Sequence, residues 1–326
     1  MNNPKISIVI PTWNGQHFLE NCLLSLSRQT FKNFEIIIID NGSEDNTIKF
    51  LKENYPEIKL VALEKNLGFC SAINKGIKEA RGAYIFLLNN DTEMEKDCLS
   101  VLNDVLDQNK EVYFCAAKML FYDNREIIND AGDIFSIYGI AHQRGKGEVD
   151  SGQYNKNEFI FGACAGAAIY RKELFLKVGL FDEDFFAYLE DIDFSFRAQL
   201  QGYKCLYVPQ AIVYHIDGGT SKKINNFSRF YTLRNSLFVI TKNFPLSLIL
   251  CYLPFLLLGQ IRNLFVGIKH RSLKTIFNVY KDYFLKLPIF LKKRKNNLKN
   301  RKVPILYLKK ILSKEYPFSI KNLFWK

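Results

Sequence analysis

Asp91 closes an apolar run, Tyr84-Ile85-Phe86-Leu87-Leu88, that is followed by Asn89 and Asn90. It is the only charge in that stretch. An unbroken apolar run of this length predicts a strand covered on both faces, as in a parallel sheet. Ligands of open α/β sheets sit just beyond the carboxyl ends of the strands, so Asp91 stands where such a sheet does chemistry. Three earlier apolar runs end in the same way. Ile6–Ile10 leads to Pro11, Thr12 and Asn14, Ile36–Ile39 to Asp40, and Lys59–Leu63 to Asn66 and Gly68. Asn, Asp and Gly are also ordinary turn residues. Four such endings on one sheet edge nevertheless favour a nucleotide site.

A possible base comes later. Glu190, Asp191 and Asp193 fall in the first turn of a predicted helix running to about Gly202, where the helix dipole favours anions. Aromatic residues flank them on both sides, so some of these carboxylates should be partly buried. Burial near other acids raises a carboxylate pKa and suits it to general-base work. His215 follows the apolar run Ile212–Tyr214 and precedes Asp217-Gly218-Gly219. Its surroundings allow a ligand or a structural role.

The elements that position these residues alternate. The four strands recur every 23 to 30 residues, with amphipathic or capped helical segments between them, which predicts a doubly wound, mostly parallel sheet with right-handed crossovers. Pro11 should end the first strand. Residues 122–157 are polar and glycine-containing and read as an excursion over the site, and Phe159–Ile169 returns to strand character. The first loop is neither G-x-G-x-x-G nor a P-loop, which argues against a dinucleotide dehydrogenase and a P-loop enzyme.

The net charge of +12 belongs to one end. Residues 262–326 hold 18 basic and two acidic residues, whereas residues 1–261 hold 27 basic and 31 acidic ones. A nucleic-acid enzyme should carry its basic charge around the active site, so no nucleic-acid partner is expected. Seven scattered cysteines without C-x-x-C point to a reducing compartment, and no secretory signal opens the sequence. Phe244–Ile261 is uncharged over eighteen residues, the lower edge of spanning length, and contains Pro245 and Pro254. The basic residues beyond it are interleaved with Phe265, Phe277, Tyr280, Tyr283, Phe284 and Phe290. This combination predicts a segment lying in the interface of an anionic membrane, with Lys292-Lys293-Arg294-Lys295 on the headgroups.

Several motifs in order resemble family 2 glycosyltransferases. They are Ser7-Ile8-Val9-Ile10-Pro11-Thr12-x-Asn14-Gly15, Ile39-Asp40-Asn41-Gly42-Ser43, Glu64-x-Asn66-Leu67-Gly68-Phe69, Leu88-Asn89-Asn90-Asp91, Phe181-Asp182-Glu183-x-Phe185-Phe186 with Glu190-Asp191-x-Asp193, and His215. The rhamnosyltransferase-like branch looks most similar. The resemblance covers about residues 5–235 and implies a GT-A fold for a domain over 1–235, and the basic, apolar and aromatic composition beyond it predicts a helical, membrane-associated tail over 236–326. It implies inverting transfer of a sugar from a nucleotide donor to a glycan or polyprenyl-linked acceptor, at the cytoplasmic face of the cell membrane as a peripheral or monotopic protein. Asp40 would then bind the nucleobase, with Pro11, Thr12, Asn14, Asn66, Gly68, Asn89 and Asn90 lining the donor site. Asp91 and His215 would hold Mg²⁺ or Mn²⁺, Asp191 would be the base and Glu190 would orient the acceptor. Asn89 stands where the family's D-x-D motif has its first acid, which leaves the site one negative charge short. An inactive nucleotide-sugar-binding homologue is the alternative that this substitution raises.

Overall fold

The computed structural model describes residues 3–219, 226–269 and 272–315. The chain begins with β1 (Ile6–Thr12), α1 (Gln16–Ser27), β2 (Phe34–Asp40), α2 (Thr47–Asn54), β3 (Lys59–Ala62), α3 (Phe69–Glu79) and β4 (Tyr84–Leu88). These strands pair in parallel in the order β4-β1-β2-β3. Successive residues of a strand face opposite sides of its sheet, and β1 shows this directly. Ile6, Ile8 and Ile10 pack with Leu19, Cys22 and Leu26 of α1, while Val9 packs with Ile73 and Ile77 of α3. Helices therefore cover both faces, and all four strand ends reach one edge. β1 runs through Pro11 to Thr12 instead of ending there. Pairing with β4 stops at Val9, so Pro11 lies where β1 has a neighbour on one side only, a position that tolerates proline.

The second half is mixed. It contains β5 (Thr92–Met94), α4 (Cys98–Gln108), β6 (Val112–Phe121), β7 (Ile128–Asp130), β8 (Asp133–Phe135), β9 (Ala141–Gln143), β10 (Glu158–Ile160), β11 (Ala167–Arg171), α5 (Lys172–Val178), α6 (Glu190–Leu200) and β12 (Lys204–His215). β11 inserts antiparallel between β4 and β6, and β12 runs parallel to β6. The strand expected over 159–169 is thus two strands with different neighbours. The loop between them reaches the candidate site.

Four helices follow: α7 (Phe227–Asn243), α8 (Leu246–Lys269), α9 (Leu273–Lys299) and α10 (Ile305–Ile311). The boundary expected at 235/236 falls inside α7. There is no break in packing at that point: Phe238, Phe244, Leu248, Phe290 and Leu308 share one apolar core with α3 and α6. Phe290 is fully buried and stacks on Phe238 with centroids 3.7 Å apart, whereas Phe265, Phe277 and Phe284 are exposed. The basic run divides too. Lys293 turns inward to Asp182 and Asp184, and Arg294 donates to the Thr241 carbonyl, which leaves Lys292 and Lys295 exposed. Residues 316–326 of the basic tail lie outside the described residues.

Shortness and prolines argued for an interfacial position of the apolar segment, but α8 continues through Pro254 for 24 residues. At 1.5 Å per residue that is about 36 Å, and the helix is long and apolar enough to cross a membrane. One stripe of it, however, is buried from end to end, with Leu256 and Gly259 against Gly139 and Tyr138 and Gly267 against Ile276 of α9: Leu248, Tyr252, Leu256, Gly259, Asn263 and Gly267 are buried. At Gly259 a Cβ would lie 2.2 Å from the Tyr138 carbonyl oxygen, so only glycine allows this approach. The opposite face exposes Leu250, Leu257, Leu258, Ile261 and Phe265.

Candidate active site

Strand register explains how residues far apart in sequence meet. β5 pairs with the end of β12 so that His215 lies opposite Thr92, the residue after Asp91. The His215 Nε2 is 3.4 Å from Asp91 Oδ1, and that carboxylate oxygen is buried without a hydrogen-bond partner among the described residues. His215 Nδ1 faces the Asn129 side-chain oxygen at 3.0 Å. An amide oxygen only accepts, so Nδ1 carries a proton, which leaves Nε2 to meet Asp91 through a proton of its own or through a shared cation. A ring fixed through its other nitrogen is the usual arrangement of a metal-binding histidine. The pair therefore fits a divalent cation. No group of three or more His, Cys, Asp or Glu able to hold one occurs among the described residues, so substrate phosphates would have to complete the ligand set.

On the donor side, β1 and β2 pair Thr12 with Asp40. Asp40 is fully buried; its Oδ2 accepts from the Ser43 amide and its Oδ1 has no partner. Asn90 donates to Thr12 Oγ1 at 2.8 Å. Two of the expected lining residues spend their side chains on loops. Asn14 Oδ1 accepts from the amides of Glu44 and Asp45, and Asn66 Oδ1 accepts from Asn41 and from the Gly68 amide. Gly68, at φ +89°, lies against Phe186, where a Cβ would come within 2.7 Å of the Phe186 carbonyl oxygen.

The loop between β10 and β11 joins the two sides. The Asn89 amide donates to the Gly166 carbonyl at 2.9 Å, and the Ala165 amide donates to Asp191 Oδ2 at 3.2 Å. Asp191 Oδ1 accepts from the Ile192 amide. Burial raises the Asp191 pKa above the usual carboxylate range, and these amides offset only part of that. Glu190 is pushed well up, first by burial and then by the Asp191 charge, and its Oε2 has no partner.

Sequence reasoning missed two neighbours. Asp130, at the end of β7, and Asp133, at the start of β8, are buried, and each has a carboxylate oxygen without a partner. Burial raises Asp130 to about 7, and raises Asp133 well above its ordinary range with help from the charges of Asp191 and Asp130. Asp193, grouped with Glu190 and Asp191 by sequence, points elsewhere. It is fully buried and accepts from Arg197, Lys242 and Asn243 at 2.9, 2.8 and 2.8 Å. Burial opposes its charge, but Lys242 and Arg197 outweigh that and hold its pKa below the usual range.

The turn before α6 is strained. Phe186 has φ 65° and ψ −62°, and the Ala187 amide donates to the Phe185 carbonyl across it, the rare γ-turn of positive φ. Tyr188 and Leu189 are left-handed as well, at φ 67° and 62°. Such residues cost roughly 1–3 kcal/mol each and persist where their surroundings over-determine them.

Residues 7–179, more than half of the chain, match the sequence model of Glycosyl transferase family 2. The chain belongs to this family. It is 29% identical over 201 residues to an uncharacterized glycosyltransferase, EpsJ, of Bacillus subtilis, covering 60% of this chain and 56% of that protein. It is 25% identical to the poly-beta-1,6-N-acetyl-D-glucosamine synthase of Staphylococcus epidermidis, covering 78% and 65% respectively. The chain thus spans less than two thirds of either relative. Among solved structures, TarS of S. aureus superposes with a TM-score of 0.59 at 17% identity, over 91% of this chain and 54% of that one. GalNAc-T7, solved with UDP, GalNAc and Mn2+, gives 0.59 at 19% identity over 74% and 48%. These likenesses establish a GT-A-like fold, and family membership agrees with the motif resemblance.

Proposed function

We propose that this family 2 member is a metal-dependent, inverting glycosyltransferase of the hexosyltransferase type. It would move a sugar, rhamnose being the one its motifs favour, from a nucleoside-diphosphate donor to a hydroxyl of a glycan or polyprenyl-linked acceptor in cell-surface polysaccharide synthesis. The observation that carries this reading is the loop 162–166. It ties the strand end that bears Asn89, Asn90 and Asp91 to the carboxylate of Asp191 through two amide hydrogen bonds.

In this reading the free Asp40 Oδ1 accepts from the nucleobase, beside Pro11, Thr12 and Asn14, while Asn66, Gly68, Asn89 and Asn90 shape the rest of the donor site. Mg²⁺ or Mn²⁺ between Asp91, His215 and the diphosphate would neutralise the departing nucleoside diphosphate. The acceptor oxygen attacks the anomeric carbon opposite the diphosphate. Its C–O bond forms as the bond to the diphosphate oxygen breaks, and its proton passes to Asp191. A raised pKa brings this base nearer the working pH. Glu190 orients the acceptor. The exposed faces of α8 and α9 support a peripheral or monotopic position on an anionic membrane, at its cytoplasmic face. The buried stripe of α8, held by Tyr138 in its middle and by α9 toward its end, favours lying in the interface over crossing it.

The test is nucleoside diphosphate release from a panel of nucleotide-sugars with acceptor, by wild type and Asp91→Asn, with and without Mn²⁺, on vesicles of anionic lipid and in their absence. Release should require Asp91 and the cation, and the protein should sediment with the vesicles. Turnover unaffected by Asp91→Asn or by EDTA would remove the metal assignment. Nucleotide binding without release would favour the inactive homologue, and failure to sediment would remove the membrane reading.

A further inference from the structure

We propose that Arg234 and Asn235 of α7 are positioning residues that clamp the strained turn at 185–189 and so set the place of Glu190 and Asp191. The inference rests on the reading of Asp191 as the base. The side chains of both residues are spent on the backbone of this turn, on each other and on Asp282. Asn235 is fully buried, and its side-chain amide donates to the carbonyls of Phe185, Ala187 and Tyr188 at 3.0, 2.8 and 2.6 Å. Arg234 donates to the carbonyls of Asp184 and Phe185 at 3.0 and 2.8 Å. Together they gather carbonyls from four of the five residues 184–188, the stretch that contains two of the three left-handed residues. Two further contacts hold the pair itself. Arg234 Nε donates to Asn235 Oδ1, and its far nitrogen meets Asp282 of α9 at 2.9 Å.

A turn of three left-handed non-glycine residues would relax if left to itself. Carbonyl groups that converge on one buried amide prevent that, because releasing any of them leaves a buried acceptor unsatisfied. The next residues along the chain are Glu190 and Asp191. The same turn also touches the donor side, since the Cys70 amide donates to the Phe186 carbonyl at 3.2 Å. α7 therefore holds from behind the one turn that borders both halves of the site. A misplaced base lowers turnover far more than it lowers donor affinity.

Two measurements on the full chain test this. Hydrogen exchange is compared in wild type, Asn235→Ala and the milder Arg234→Lys, which keeps a cation beside Asp282. Amides 186–191 should exchange at least about tenfold faster in Asn235→Ala, and to a lesser degree in Arg234→Lys, with β1 to β4 unchanged. Unchanged exchange at 186–191 in both variants overturns the clamp, whatever the reaction proves to be. Turnover and the affinities for UDP, GDP and dTDP are then measured across pH. Turnover should fall roughly ten- to a hundredfold, with a displaced acidic limb and nucleotide affinity kept within about twofold. Faster exchange with normal turnover and an unmoved pH profile would make the pair structural only. If wild type releases no nucleoside diphosphate from any donor, the assigned reaction fails while the exchange result still decides the clamp.

Discussion

Between residues 182 and 193 the chain carries two sets of buried carboxylates with opposite fates. Asp182 and Asp193 meet cations. Lys242 bridges both at 2.6 and 2.8 Å, Arg197 adds to Asp193, and Lys293 adds to Asp182 and to the more exposed Asp184. Asp182 and Asp193 are held below the usual carboxylate range against the pull of burial. Glu190 and Asp191, with Asp130 and Asp133, form no ion pair among the described residues, and all four are pushed up. Burial is similar in the two sets. A carboxylate answered by lysine or arginine is spent on holding the fold, whereas one left unanswered keeps its capacity to accept a proton or a donor group. Proximity in sequence therefore says little about role: Asp191 and Asp193 are two residues apart on one helix and belong to different sets.

The contrast is broken most directly at the base. Asp191→Asn keeps shape and loses basicity, so turnover should drop about 10²–10⁴-fold with nucleotide affinity little changed. A comparable loss of folding stability in that variant would move Asp191 into the structural set. Lys242→Met attacks the other side. It leaves two buried aspartates short of a partner, which costs about 3–5 kcal/mol. Chemical denaturation should register that loss, and an unchanged midpoint would show that the network is dispensable.

The smallest effect sharpens the comparison through pH. Asp182 and Asp193 have folded pKa values below their unfolded ones, so their contribution is present above the unfolded value and lost as pH falls through the folded values. For Asp130 the sign reverses. Its folded pKa of about 7 lies above the unfolded value of 3.8, so its contribution is full below about pH 4 and is lost as pH rises toward 7. Asp130→Asn removes that slope, up to about 1.4 kcal/mol per pH unit. The variant should gain on wild type between pH 4 and 7 and level off above that. A gain that is flat across this range would place the Asp130 pKa near its ordinary value.

Strand ends were legible because a strand buried on both faces writes itself as an apolar run, and the first polar residue after it marks the working edge. The places of Asp40, Asp91 and His215 at strand ends were legible in this way, and the place of Asp191 at the start of α6 through its motif. Asp130 and Asp133 were hidden in Asn-Asp-Ala-Gly-Asp, which has the composition of a turn; only the pairing of β7 with β6 and the Asp133–Gly162 bridge carry them inward. Lys293 was hidden in Lys-Lys-Arg-Lys, which reads as a solvated run. Its inward turn depends on aspartates about a hundred residues earlier, and no local pattern records a contact of that range. Arg234 and Asn235 were equally silent, because a polar pair within a helix normally faces water.

That range has a consequence for how the protein is made. Lys293 follows the Asp182 it neutralises by 111 residues. A ribosome adds about 5–20 residues per second, so roughly 5–20 s separate the two during synthesis. Through that interval the sheet and the loops at its edge can form from contacts already made, but Asp182 awaits first Lys242 and then Lys293, and the turn at 185–189 lacks Asp282 behind Arg234. The nascent chain thus acquires its parallel strands first. Its carboxylate half is completed only after α9 has left the exit tunnel.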